Sequence, residues 1–140
     1  MLTKLQSRRS GFTLVEIMIV VAIIALLAAI AVPSFLRARK RSQATSTLET
    51  LRMIDGAKDQ YAIENGKGPS VTPSQPELAP YVKNGTKLYT QLLASNASDA
   101  LNAAIVIGPI DTPPKVDNGT KTALQDALGA NSDEFWGAYK

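Results

Sequence analysis

The sequence predicts one long N-terminal α-helix, membrane-spanning in its first half and amphipathic in its second, carrying a small C-terminal α+β head. Three observations predict it. An unbroken apolar run follows a short basic leader. A polar segment with a single apolar stripe continues from that run at helical spacing. The remainder is rich in Pro, Gly and Asn, with one strand-like and one helix-like stretch.

The run comes first. Sixteen apolar residues, Ile17 to Val32, stand without interruption, and from Phe12 to Val32 only Thr13 and Glu16 are polar. At ~1.5 Å per residue these 21 positions make roughly 30 Å of helix, about one hydrocarbon core. A soluble domain this small has too little chain to cover such a helix on every face, so it reads as a membrane segment. A cleaved secretory signal is the rival, with Ala29-Ile30-Ala31 as its A-x-A site. Against it stand Glu16 inside the run, the length of the run, and the basic residues Arg37, Arg39, Lys40 and Arg41 just beyond. Those four suit lipid headgroups. Ala22, Ala25 and Ala29 share a face that would suit close helix approach.

Beyond the run, Leu48, Leu51, Ile54, Ala57 and Tyr61 recur every three or four residues, one stripe on a polar helix. Asn65-Gly66 supplies a left-handed stop. From Phe12 to Glu64 the expected helix has 53 residues, roughly 80 Å at 1.5 Å each. Pro33 cannot donate to the carbonyl of Ala29, and its ring crowds that turn, so a kink is expected there. The expected divisions are a leader over 1–11, an assembly helix over 12–36, an amphipathic stalk over 37–65 and a head over 66–140.

The head opens on Gly66-Lys67-Gly68-Pro69 and a Pro-rich loop, with a short helical turn around Glu77–Tyr81. Lys87–Ala94 fits either helix or strand. Ala104-Ile105-Val106-Ile107, closed by Gly108-Pro109, is the best strand. Thr120 is the expected N-cap of a helix with Ala123, Leu124, Ala127 and Leu128 inward. The aromatic end, Phe135-Trp136-Gly137-Ala138-Tyr139, should dock on the head's core. Asn84-Gly85-Thr86, Asn96-Ala97-Ser98 and Asn118-Gly119-Thr120 match a glycosylation sequon, but two contain Asn-Gly, and turn chemistry is the reading adopted.

Composition removes most chemistry. There is no Cys and no His among the 140 residues, so thiol nucleophiles, Cys-based zinc sites and the usual general base are absent. No catalytic, cofactor-binding or metal-binding set is expected. Asp111, Asp117, Asp126 and Asp133 do not fall in a calcium-loop spacing. The pI of 9.3 overstates the basic character. Lys4, Arg8 and Arg9 lie in the leader, and without them Lys+Arg falls from 15 to 12, equal to Asp+Glu at 12. No nucleic-acid partner is expected.

The informative segment is Gly11-Phe12-Thr13-Leu14-Val15-Glu16. It joins the basic leader to the apolar helix and sets one carboxylate into that helix. An ionisable group at a helix centre in a bilayer costs about 2.5–3.5 kcal/mol even on the lenient scale, so Glu16 reads as functional. Its natural partner is a cation at similar depth. Cutting after Gly11 would create one, the α-amine of Phe12.

These residues, followed by Ile17–Val32 and Pro33, resemble the class III signal of type IV prepilins and type II secretion pseudopilins. The resemblance implies a pilin-like fold, cleavage after Gly11 by a prepilin peptidase, and N-methylation of Phe12 by the same enzyme. It also implies assembly through Glu16 and a helix kink at Pro33. The implied partners are the prepilin peptidase/methyltransferase, identical or homologous pilin subunits, the inner membrane and its assembly platform. The implied location is single-pass in the inner membrane with a periplasmic head, then a cell-surface or periplasmic filament. The resulting expectation is a structural subunit of a type IV pilus-like filament, not an enzyme, and without cofactor. Its alternatives are a type II secretion pseudopilin and a membrane-anchored monomeric binding module.

Overall fold

A computed structural model describes residues 11–140. Apart from Gly11, the leader expected over 1–11 lies outside the described residues. The chain divides into two compact units, one ending at Leu36 and the other spanning Arg37–Lys140. Helix α1 (Leu14–Asn65) contributes residues to both and contains Pro33 within it.

In the first unit every residue from Gly11 to Leu36 is exposed. Its side chains are apolar on all faces, and Leu14 to Leu36 offers no polar stripe to water. A helix of this kind is stable only in lipid or among other helices.

In the second unit the amphipathic part of α1 buries Ala44, Thr47, Leu48, Leu51, Ile54, Ala57, Lys58 and Tyr61. The expected stripe is there, widened by three residues, Ala44, Thr47 and Lys58, one of them charged. Asn65 and Gly66 end the helix as the sequence suggested. Gly66 takes φ +57°, and the Lys67 N–H donates to the Ala62 carbonyl at 3.1 Å, the long bond of a Schellman closure. The Asn65 side chain donates to the Tyr61 carbonyl and the Tyr81 hydroxyl, both at 3.0 Å.

The rest of this unit packs short helices around that stripe. Helix α2 (Gln75–Leu78) leads into a 3-10 turn, Ala79–Tyr81, somewhat longer than the single turn expected. The ambiguous segment is helical, α3 (Lys87–Leu93), because Thr86 caps it by accepting from the Tyr89 N–H at 3.2 Å. Helix α4 (Asn118–Leu128) begins three residues before the expected start. Its cap is Asp117, which accepts from the N–H groups of Gly119 and Thr120 at 2.7 and 3.4 Å. Thr120 is instead buried, its hydroxyl donating to Asp99, so the expectation that Thr120 caps this helix is corrected. Leu124 is inward, Ala127 and Leu128 are half-buried, and Ala123 is exposed. Helix α5 (Ser132–Trp136) ends on Trp136, buried at 1% exposure as the core's largest side chain.

The α+β expectation holds in its helical part only. Among the described residues, pairing is limited to two isolated antiparallel bridges, Ser98 to Ala104 and Val106 to Lys115. The alternation behind the expected Ala104–Ile107 strand is real, with Ile105 and Ile107 buried and Val106 exposed. A ladder does not extend from it because Gly108 turns the chain at φ +66°, and Pro109, Pro113 and Pro114 lack the N–H groups that it would need.

Acid should loosen this unit through Glu77. Its carboxylate accepts from the Ser74 hydroxyl at 2.6 Å, the Ser74 N–H at 2.7 Å and the Tyr61 hydroxyl at 3.0 Å. These bonds, those from Ser74 foremost, hold its pKa below the ordinary 4.5. A depressed carboxylate contributes stability above its unfolded pKa and loses it as pH falls through the folded one. Glu77→Gln should therefore flatten the acid limb of a thermal-melting profile below pH 4.5 and leave the neutral region little changed.

Candidate assembly site at the helix N-terminus

The first turn of α1 closes on itself. Thr13 precedes Leu14 and serves as the cap, its Oγ1 accepting from the Glu16 N–H at 3.2 Å. Glu16 reaches back, its Oε2 accepting from the Thr13 N–H and the Thr13 hydroxyl, each at 3.0 Å. This reciprocal pair is a capping box, and it satisfies donors that a helix end in lipid could not give to water. It also sets a carboxylate at the positive end of the helix dipole. The T-x-x-E spacing was visible in the sequence, but Glu16 was read there only for its charge.

Both bonds from Thr13 fall on Oε2; Oε1 has no partner among the described residues. Phe12, 83% exposed, stands just before the cap. Gly11, Phe12 and Glu16 are thus neighbours at one exposed helix end, and Pro33 lies well apart within α1. The turn can present a carboxylate and, if the chain were cut after Gly11, an amine beside it.

Farther along, Lys40 pairs with Asp126 at 3.7 Å, an exposed contact of little energetic weight. Sequence reasoning missed Lys58. It is fully buried, its ammonium donating to the carbonyls of Ile107, at 3.1 Å, and Thr112. Burial pushes its pKa below the ordinary 10.5, opposed by Asp55, Asp59 and Asp111. The signal lay in its place on the stripe, between Ile54 and Tyr61 at spacings of four and three. Nearby, the Tyr139 hydroxyl donates to Asp55 at 3.2 Å, and its carbonyl accepts from the Val116 N–H at 3.0 Å, tying the aromatic end to α1.

Comparison with known proteins bears on the capped end directly. The family described as the prokaryotic N-terminal methylation motif matches residues 6–32. The chain is 30% identical over 125 residues to a type IV major pilin of Neisseria gonorrhoeae, covering 89% of this chain and 57% of that protein. It is 51% identical over 57 residues to the type IV wide pilus major component of Thermus thermophilus, 39% of this chain and 42% of that one.

The chain carries this motif and is similar to type IV major pilins.

A secretion protein is among the similar proteins too. Type II secretion system core protein G of Klebsiella pneumoniae is 30% identical over 83 residues, 55% of this chain and 59% of that protein. The chain spans about half the length of the curated relatives it matches. No solved structure matches it. The match over 6–32 takes in the Thr13–Glu16 box and the exposed apolar stretch up to Val32.

Proposed function

We propose that this chain is a structural subunit of a type IV pilus-like filament. The observation that carries the reading is the methylation-motif match at a basic-to-apolar junction that leads into an apolar, exposed helix. On this reading residues 1–11 are a leader, removed by a prepilin peptidase that cuts after Gly11 and methylates Phe12. Residues 12–36 then hold the subunit in the inner membrane and later pack among neighbours. Residues 37–65 form the stalk and 66–140 the head, on the periplasmic side. Pro33 gives the helix a weak point at the end of the apolar stretch.

Glu16 sets register. Apolar contact alone lets one greasy helix slide along another. A carboxylate that must meet a neighbour's Phe12 amine in low dielectric penalises every other offset. The Thr13 box leaves Oε1 for that contact while it holds the carboxylate in place.

A pseudopilin of a type II secretion system is the second reading, favoured by the similarity to the Klebsiella core protein. Both readings share the processing step. Mass analysis of the subunit recovered from membranes is expected to give a chain starting at Phe12 with a methylated amine. A chain starting at Val32 would mean that the segment is a cleaved secretory signal and would sink the proposal. Filaments sheared from the cell surface would then favour the pilus over a periplasmic pseudopilus.

A further inference from the structure

Three Asn-Gly pairs occur in the chain, Asn65-Gly66, Asn84-Gly85 and Asn118-Gly119, and they stand in different surroundings. Asn-Gly is the dipeptide most open to self-modification, because glycine has no side chain to shield its amide nitrogen. That nitrogen attacks the asparagine side-chain carbonyl carbon. A C–N bond forms, the bond to the carboxamide nitrogen breaks, and ammonia leaves with the amide proton. Water then adds to the resulting five-membered imide and opens it to aspartate or isoaspartate, with no change in oxidation state. The reaction needs a carboxamide free to turn, a main-chain N–H free of partners, and a backbone that can bend.

Two of the pairs lack these freedoms. The Asn65 carboxamide is held at the end of α1 by its bonds to the Tyr61 carbonyl and the Tyr81 hydroxyl. At Asn118 the attacking nitrogen is already engaged, since the Gly119 N–H donates to Asp117 at 2.7 Å within the first turn of α4. Asn84 differs on each count. Asn84 and Gly85 are both exposed and occupy the centre of a turn closed by the Thr86 N–H on the Lys83 carbonyl at 3.4 Å. Gly85 takes φ +80°. Among the described residues neither the Asn84 carboxamide nor the Gly85 N–H has a hydrogen-bond partner.

We propose that Asn84 is a self-modification site, at which Gly85 drives conversion to aspartate and isoaspartate with water as the only co-reactant. The product puts a carboxylate between Lys83 and Lys87 on a head whose residues 66–140 hold six basic and seven acidic side chains. The isoaspartate form also reroutes the main chain two residues before Thr86, whose hydroxyl caps α3.

The test incubates the full-length protein in detergent, in mildly alkaline buffer made with heavy-oxygen water, and follows each Asn-Gly peptide by mass. Asn84 is expected to take up the label and yield isoaspartate. Asn65 and Asn118 should react roughly tenfold or more slowly, since each must first open against its bonds. Asn84→Gln should remove the main acidic charge variant that accumulates in the wild type. Equal rates at the three pairs, faster reaction at Asn65 or Asn118, or no label at Asn84 would each overturn the proposal.

Discussion

Glu16→Gln is expected to leave cleaved subunit in the membrane and few filaments outside it. The substitution separates two jobs that Glu16 could do. As half of a capping box it accepts from Thr13, and a glutamine oxygen can accept the same bonds. If capping were its whole role, Glu16→Gln would assemble normally, and Glu16→Leu would cost the helix only about 0.5–2 kcal/mol. If Glu16 pairs with a neighbour's Phe12 amine, both variants leave that amine buried without a partner. Breaking such a pair costs roughly 3–5 kcal/mol, and each 1.4 kcal/mol is about tenfold in an equilibrium constant. Filament yield should then fall by about a hundredfold or more in both variants. Thr13→Ala is the control, losing the cap and keeping the charge, and should retain most of the filament. Comparing subunit in membranes with filament sheared from cells measures all three. Normal filament yield from Glu16→Leu would falsify the pairing mechanism and leave the fold and the cleavage site untouched.

The second large effect is expected at Lys58. Lys58→Ala removes two charge-assisted bonds, strands the carbonyls of Ile107 and Thr112, and empties the space taken by the stem. A bond to a charged group is worth about 1.5–3 kcal/mol net, so the combined loss should reach roughly 3–5 kcal/mol. Lys58→Met keeps the stem and also spares the amine its desolvation, so its loss should be smaller, about 1–3 kcal/mol. Denaturant unfolding of the full chain in detergent, followed by the fluorescence of Trp136, measures both. A Lys58→Met protein as stable as wild type would mean that the ammonium is held in place without stabilising the 107–112 segment.

Legibility in the sequence follows the range of the interactions. The apolar run from Ile17 and the stop at Asn65-Gly66 are properties of adjacent residues, so both could be read directly. Lys58 could not. It lies on the buried stripe, yet a lysine ordinarily marks the solvent face, and its acceptors are main-chain carbonyls 49 and 54 positions away. The cap of α4 was misread because Asp117 and Thr120 both fit the role. What decided it was Asp99, 21 residues distant, drawing the Thr120 hydroxyl inward. The Ala104–Ile107 segment alternates as a strand should, but a strand also needs neighbours, and nothing local specifies them. At the candidate assembly site the residues were legible and the geometry was not. Thr13 was counted as an interruption of the apolar run, when its hydroxyl and N–H are what hold Glu16 in the first turn.

The two lone bridges have a consequence for life at high density. A sheet with an open side offers a row of unpaired main-chain groups, a template on which identical copies add strand to strand. The described residues of Arg37–Lys140 hold no ladder, and prolines follow the alternating Ala104–Ile107 stretch. If copies are crowded together in one bilayer, as proposed, no ladder among those residues offers an edge on which they would fuse strand to strand.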